Sequence, residues 1–563
     1  MSYSVAHAFE VTFCIKEVIS RSNKKFVGGM IMGLLLVNER TNYLRSMASQ
    51  QLDLIVIGGG IIGAGIAWDS SVRRMKVGLV EMNDFTSGTM IGRSAKLIHS
   101  GHGYIKPTEI RLVKDVGLEC ALLHRSTPYL IEPIPILLPI YNKGNYSYIA
   151  SKISLHVYNW LARVKRGERR KMVDRKETIK LEPLFKTEGL KGSGYYFEYI
   201  IDDVRLTMEV MKSAKLQGAA IANYAKVTDY LYKNGKITGV KVADLISGES
   251  YDIYAKKIVN AAGSCEDEGI HFVVDAERLP IKQAGYFDLA DGRIISVSPY
   301  GKKTYITMTD TVNKRTMKDS RISTEDRNDL LNAINYLFPT VGLKRVDIES
   351  GWIGLRPFVY EGGRNYSERS RKDELIVSEQ GLITVMGGML TEFRKTAEKV
   401  VNLVSMQLLD EEGRVYPPCT TKRELISGGI SQEGESFEHN RKKLVKAGQL
   451  LGITAEQSLE LLSRYGSNTN SIYRYLIAEQ DDLLPIQDQL LRAEVVYCVN
   501  NEMTVMACDF FARRTGWLYF DRKKTEDVLD FVLLEMGKLL QWDAKEQERQ
   551  RMLVQEQMKL AIG

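Results

Sequence analysis

The sequence predicts a multidomain α/β (α+β) protein that opens on a Rossmann-like dinucleotide-binding unit and closes on a run of helices. Three observations carry this reading. The chain has 563 residues, too many for one hydrophobic core, so two or three domains are expected. Residues 52–81, LDLIVIGGGIIGAGIAWDSSVRRMKVGLVE, set a glycine cluster between an apolar run and a helix-like run. After residue 411, apolar residues recur at helical spacing. The composition, 44% hydrophobic and 26% charged, is that of an ordered globular chain and argues against disorder, collagen and coiled coil.

Taken in order, the first element is an extension. KKFVGGMIMGLLLVNER, residues 24–40, resembles a signal-peptide core, but no small-x-small cleavage site follows it. Residues 1–38 are therefore read as an N-terminal extension of unknown order. No run reaches the roughly 18 apolar residues that a spanning helix needs.

Leu52–Ile57 is short, apolar and rich in branched residues, as a buried parallel strand should be. Gly58, Gly60 and Gly63 follow as G-x-G-x-x-G. The first permits a tight turn, the second lets backbone approach a pyrophosphate, and the third lets helix pack on strand. The helix start offers unpaired N–H groups to phosphate. KVGLVE supplies a second strand ending at Glu81, an acid suited to ribose hydroxyls and hostile to a 2′-phosphate. A glycine-rich turn without a ligand is the competing reading.

Three later segments favour FAD over NAD. Residues 83–106, NDFTSGTMIGRSAKLIHSGHGYIK, form a Ser/Thr/Gly-rich loop containing Thr89, Arg93 and Lys96 that suits a pyrophosphate and ribityl chain. AKKIVNAAGS, residues 255–264, is a strand ending in small residues, Gly263 among them. GLITVMGGMLTEFRKTAEKVV, residues 381–401, reads as strand, Gly387-Gly388, then helix, with Leu390 and Thr391 at the helix start. A cofactor site assembled from distant segments suits FAD. In the last part, TAEQSLELLSRYGSN starts with a capping box at Thr454 and Gln457. KKTEDVLDFVLLEMGKLLQW reads as a helix with acids in its first turn.

The six cysteines are far apart with no CxxC, which fits a reducing cytosol and excludes a disulfide scaffold or zinc ribbon. His99 and His102 stand at i, i+3, but no clustered acids or thiols accompany them, so no metal is expected. The net charge of +7 suits anionic substrates or an anionic membrane surface. No nucleic-acid module is present, and none is expected to bind.

From about Glu39 to about Trp542 the chain resembles the FAD-dependent glycerol-3-phosphate dehydrogenases of the aerobic, quinone-linked type, and their relatives the glycerophosphate oxidases. The resemblance is carried by IVIGGGIIGAGIA, LVEMNDFTSGT, GYYFEYIIDDVRLTMEVMK, NYAKV, AKKIVNAAG, DGRIISVSPYGKKTYITMTDT, ESGWIGLRPFV, SRKDEL, GGMLTEFRKTAE, RYGSN and EMTVMACDFFARRTGWLYFD. It implies a discontinuous Rossmann-like FAD-binding domain interleaved with a β-rich substrate domain, then an all-α C-terminal domain. The implied oxidoreductase domain spans 39–410, with FAD-binding parts about 52–105, 195–265 and 375–410 and substrate-binding parts about 106–194 and 266–374. The implied helical domain spans 411–563. The implied reaction oxidises sn-glycerol 3-phosphate to dihydroxyacetone phosphate, with electrons passing through FAD to membrane quinone. A cytoplasmic homodimer, peripheral on the inner face of the cell membrane, goes with it.

By the same resemblance, Arg356 in GLRPF and Arg371 in SRKDE handle the substrate phosphate, for which a planar guanidinium fork is suited. Tyr104 is a retained substrate contact. His271 in GIHFV is a candidate base or orienter, with a structural histidine as the other reading, and His99 shapes the flavin pocket. The chain also departs from the pattern. Gly103 stands where relatives carry a substrate-contacting arginine, and Met389 replaces a lysine. The loop before Arg93 is one residue longer and lacks paired serines. Ala262, Ser264 and Cys265 replace threonine and proline-tryptophan, and a segment before His271 is missing. Two lost cationic contacts cost about 3–6 kcal/mol. The alternatives are a non-enzymatic flavin-binding relative, or an FAD oxidase acting on another polyol phosphate.

The stretch 151–172, SKISLHVYNWLARVKRGERRKM, is read as a basic amphipathic helix with Trp160 on its apolar face. It suits an anionic membrane or, equally, an ordinary surface.

Overall fold

Short apolar runs and glycine-punctuated turns alternate through the first part of the chain. The computed structural model describes residues 35–87, 97–98, 110–142, 170–263, 267–289, 293–309, 322–356, 374–387, 390–429 and 435–562. Helix α1 (Arg40–Ala48) leads into β1 (Leu52–Ile57), α2 (Ile61–Val72) and β2 (Val77–Val80). Then come β3 (Leu97–Ile98), α3 (Ile110–Ser126), β4 (Ile131–Tyr141), β5 (Lys171–Asp174), α4 (Arg175–Leu181) and β6 (Leu190–Ile201). Helix α5 (Asp203–Leu216) precedes β7 (Ala220–Ala222), β8 (Ala225–Lys233), β9 (Lys236–Asp244) and β10 (Ser250–Asn260). Strands β11 (Asp267–Asp275), β12 (Ala284–Asp288), β13 (Ile294–Tyr300) and β14 (Lys303–Thr309) follow. Helix α6 (Thr324–Leu337), β15 (Ile348–Arg356), β16 (Glu374–Val377), β17 (Leu382–Met386) and α7 (Phe393–Glu412) complete this part.

Two sheets organise these strands. In the first, β7, β2, β1, β10 and β17 run parallel in that order, with β16 antiparallel at one edge and a β8–β9 hairpin extending β10. Ile55 lies between Gly78 and Ile258 in register, so β1 is central and its branched residues are covered on both faces. Helix α2 is buried almost all round because α5 and α7 pack beside it. A Cβ on Gly65 would stand 2.8 Å from the Phe393 ring, so glycine lets α2 and α7 approach this closely. The second sheet has the order β15-β11-β14-β13-β12-β4-β6-β3, with β5 on β6. Its own core gathers Phe185, Phe272, Phe287 and Ile306 under α6. The result is a mixed α/β body of two sheets followed by an all-helical region.

That region contains α8 (Phe437–Leu450), α9 (Ala455–Tyr465), α10 (Thr469–Ala478), α11 (Ile486–Glu502), α12 (Arg522–Leu540) and α13 (Ala544–Ile562) around a core that includes Val495, Phe511 and Val532. Thr454 and Gln457 make the reciprocal capping box at the start of α9. Helix α12 begins earlier than its sequence suggested: Asp521 caps Lys524 N–H, so Glu526 and Asp527 fall in the second turn.

Helix α5 meets the helical region through a buried ion cluster. Arg205 donates to both carboxylate oxygens of Glu502, at 2.7 and 2.6 Å, and to Glu209 at 2.8 Å. Lys212 donates to Glu209 at 2.7 Å, to Glu502 at 3.0 Å and to the Tyr497 hydroxyl at 2.8 Å. Burial would raise the Glu502 carboxyl, but Arg205 and Lys212 hold it well below the usual carboxylate range. Burial pushes Glu209 upward despite the same two cations.

Two expectations meet the structure at their edges. Leu35 is fully buried and its carbonyl accepts the Met503 N–H at 3.0 Å, so the end of the stretch read as an extension belongs to the packed fold. Of the basic segment 151–172, residues up to 169 lie outside the described residues. Arg170 is buried against Glu198 and over the Tyr196 ring, and Lys171 and Met172 belong to β5. The end of that segment is strand, not helix, because it pairs with β6 and Val173 enters the core of the second sheet.

Candidate functional site

Strands β1, β10 and β17 run parallel, and their C-terminal ends bring Gly58, Gly263 and Gly387 to one edge of the first sheet, where ligands bind in open α/β folds. Gly58 has φ +110°, and a Cβ there would stand 2.8 Å from the backbone of Ala261 and Ala262. A Cβ on Gly63 would lie 2.0 Å from the Gly58 carbonyl oxygen. Both positions therefore require glycine. Gly60 is the N-cap of α2, and no side chain among the described residues caps the helix. The first N–H groups of α2 are thus presented at the positive end of its dipole.

Glu81 stands just past β2. Its carboxylate accepts the Gly59 N–H at 2.6 Å and the Asn83 N–H at 2.9 Å. Burial raises its pKa, and those two N–H groups oppose the rise. Beside it, Thr86 Oγ1 and Ser87 Oγ are buried with no hydrogen-bond partner among the described residues, and such atoms call for one. A cradle that excludes Cβ atoms, open helix N–H groups, an acid at ribose distance in sequence and two unpartnered hydroxyls together fit a dinucleotide.

The remaining cofactor candidates divide by position. Leu390 and Thr391 form the 3₁₀ turn Leu390–Glu392 that delivers the chain into α7, with Thr391 buried. The helix start expected at Leu390 is therefore displaced to Phe393. Thr89, Arg93, Lys96 and Gly388 lie outside the described residues, as do Tyr104, Arg371, His99, His102, Gly103 and Met389. Ala262 is described, and its N–H is taken by the Asn260 side chain at 3.1 Å.

His271 lies in mid-strand on β11, between Thr307 of β14 and Trp352 of β15. It is 3% exposed. Its Nδ1 is 2.7 Å from the Tyr305 hydroxyl, and its ring stacks on those of Tyr305 and Trp352 with centroids 5.9 and 5.5 Å apart. Phe520 and Tyr519 of the helical region close over this aromatic cluster. Arg356 ends β15, four residues beyond Trp352, where its backbone pairs with Asp267. The two candidates are thus on adjacent strands.

Sequence reasoning missed Tyr305 and the pair Asp84–Arg514, which meets at 2.6 and 2.9 Å beside the Glu81 loop. The signal was present, since both partners lie in stretches quoted above. Among the described residues there is no cluster of three or more metal-ligating side chains.

Comparison with known proteins converges on one family. Residues 53–391, more than half of the chain, match the FAD dependent oxidoreductase family, and residues 419–547 match the C-terminal domain of alpha-glycerophosphate oxidase. The chain is 42% identical over 526 residues to the aerobic glycerol-3-phosphate dehydrogenase of Bacillus subtilis, covering 90% of this chain and 94% of that protein. The protein of the same name from Staphylococcus haemolyticus is 41% identical over 524 residues, covering 89% and 93%. Among solved structures, the glycerol-3-phosphate dehydrogenase from Bacillus halodurans complexed with FAD superposes with a TM-score of 0.79 at 36% identity, covering 94% of this chain and 99% of that one.

Proposed function

The chain belongs to the FAD dependent oxidoreductase family, and on that footing we propose that it is a glycerol-3-phosphate dehydrogenase, oxidising sn-glycerol 3-phosphate to dihydroxyacetone phosphate. The observation that carries the reading is the collinear match of both domains to proteins of that name, joined to a glycine turn and an acid that fit FAD. When bound, FAD supplies the acceptor for the hydride of the secondary alcohol.

The chain supplies the rest. Gly58, Gly60 and Gly63 admit the pyrophosphate to the start of α2, and Glu81 receives the ribose hydroxyls. Arg356 and Arg371 bind the substrate phosphate, with Tyr104 beside them, each by family position. His271 takes or orients the hydroxyl proton. For Nε2 to act as a base, Nδ1 must carry the hydrogen and donate it to the Tyr305 oxygen; the opposite tautomer makes His271 a donor instead. Thr89, Arg93, Lys96, Gly263, Gly387, Gly388, Leu390 and Thr391 are assigned to the cofactor. FAD-binding parts near 52–105, 195–265 and 375–410 are supported by β1, β2, β7, β8, β9, β10 and β17 of the first sheet, although β3 and the end of β6 lie within those bounds and join the second sheet. Membrane quinone is the proposed electron acceptor, reached by peripheral contact from the cytoplasmic side, and the proposed assembly is a homodimer. No helix among the described residues is long and apolar enough to cross a membrane.

Gly103 and Met389 favour a second reading, a flavin-binding relative without turnover. Anaerobic addition of glycerol 3-phosphate to the purified holoprotein separates the two. Bleaching of the visible flavin band is the expected result, and an unchanged band selects the second reading or an oxidase for another polyol phosphate.

A further inference from the structure

Residues 81–87 link β2 to the cofactor edge, and their path sets where the Glu81 carboxylate stands. Both ends are tied to the glycine turn. Glu81 accepts the Gly59 N–H, and Thr86, at φ +65°, donates its N–H to the Gly59 carbonyl at 3.2 Å. Between them Asp84 turns inward. Both its oxygens receive Arg514, at 2.6 and 2.9 Å, and the Asn223 side chain donates to one of them at 3.0 Å. Arg514 is fully buried and also donates to the Glu502 carbonyl at 2.8 Å, so its guanidinium is fixed within the helical region. Asn223 donates in addition to the Met503 carbonyl at 3.0 Å. The neighbouring Tyr224 gives its N–H to the Asn83 carbonyl at 2.9 Å and its hydroxyl to Asp509 at 2.6 Å.

We propose that Arg514 is a positioning residue for the cofactor site: through Asp84 it fixes loop 81–87 and so holds Glu81 where the ribose is received. This rests on the reading of Glu81 as the ribose acid. The argument is geometric. A bidentate guanidinium–carboxylate pair restrains orientation as well as distance. Buried at both ends, it leaves the loop no low-cost alternative position, because withdrawing Asp84 leaves the buried guanidinium with the more distant Glu502 carboxylate, at 3.6 Å. The loop cannot relax from the sheet side either, since Glu81 N–H and Ala225 N–H exchange hydrogen bonds across β7 with the Ala222 and Glu81 carbonyls. The helical region is thereby a part of the cofactor site, though it places no residue on the glycine turn.

The test is FAD titration of apoprotein, read by flavin fluorescence, for wild type, R514M, R514K, D84N, E81Q and the R514M/E81Q double variant. We expect R514M and D84N to raise the FAD Kd by about tenfold or more, with R514K restoring part of the loss. In the E81Q background R514M should add nothing further, because its effect runs through Glu81. E494Q, which removes the negative charge that Arg464 and Tyr465 donate to within the helical region, should lower thermal stability and leave the Kd unchanged. Wild-type affinity in R514M, or additive losses in the double variant, would overturn the proposal. Wild-type apoprotein that takes up no FAD would overturn the reading of Glu81 together with it.

Discussion

The glycine turn and the ion cluster between α5 and the helical region lie on opposite sides of loop 81–87, and they are built by opposite means. At the turn, main-chain N–H groups are left open, side chains are excluded to the last Cβ, and Glu81 is the charge at hand. In the cluster, Arg205 and Lys212 are matched closely by Glu209 and Glu502. A surface that must receive a ligand keeps its donors unspent; a seam that must hold two domains saturates its charges. Mutations should therefore act differently on the two sides: loss of ligand on one, loss of cooperativity on the other.

The largest effect belongs to the turn. In Gly63→Ala the new Cβ meets a backbone oxygen at 2.0 Å that has no room to move. The cost exceeds the usual 1–3 kcal/mol or so of overpacking. The expected outcome is protein purified without its visible flavin absorbance, and a yellow Gly63→Ala preparation would break the comparison at its first term.

Next comes the cluster. Glu502→Ala leaves Arg205 and Lys212 with Glu209 as the one carboxylate they still share, and should cost about 3–5 kcal/mol in urea unfolding. Because Glu502 touches no part of the turn, FAD saturation at high cofactor concentration should survive in the folded fraction.

The third effect is a slope rather than a step. Asp509, beside Arg513 and Tyr224, is pushed up to about 7 by burial, with Asp84 adding to the rise against Arg513 and Arg514. A carboxyl raised on folding binds more protons in the native state than in the unfolded one. Its contribution is therefore most favourable at low pH and is lost as pH climbs from its ordinary 3.8 towards 7. Unfolding free energy followed from pH 5 to pH 8 should fall in the wild type and fall less in Asp509→Asn. An identical slope in both proteins would remove Asp509 from the account.

The smallest is a local control. Thr454→Ala removes an exposed capping box from α9 and should cost about 1 kcal/mol, seen as a modest drop in Tm with unchanged flavin content.

The two regions also differ in how far they could be read from sequence. The turn was legible because backbone chemistry leaves a local signature: three glycines at fixed spacing, a branched strand before them and an acid after the next strand fell on β1, α2 and Glu81. The strand at 382–386 was equally plain, although a 3₁₀ turn delayed the helix behind it. The cluster was illegible for the converse reason. DDVRLTMEVMK and EMTVMACDFFARRTGW carried only a family resemblance, and nothing in either stretch says that Arg205 will face Glu502. His271 lay between these extremes. The residue was visible, but the Tyr305 and Trp352 rings that enclose it arrive from separate strands. Lys171 and Met172 were misread because a basic run looks alike in a helix and an edge strand.

Arg514 is synthesised 430 residues after Asp84. At ordinary elongation speeds that interval is roughly 20–90 s. Throughout it the glycine turn and its acidic loop are without that arginine. Tight uptake of FAD is therefore expected only once residue 514 has joined the fold, and chains stalled short of it should hold the cofactor more weakly than the complete protein.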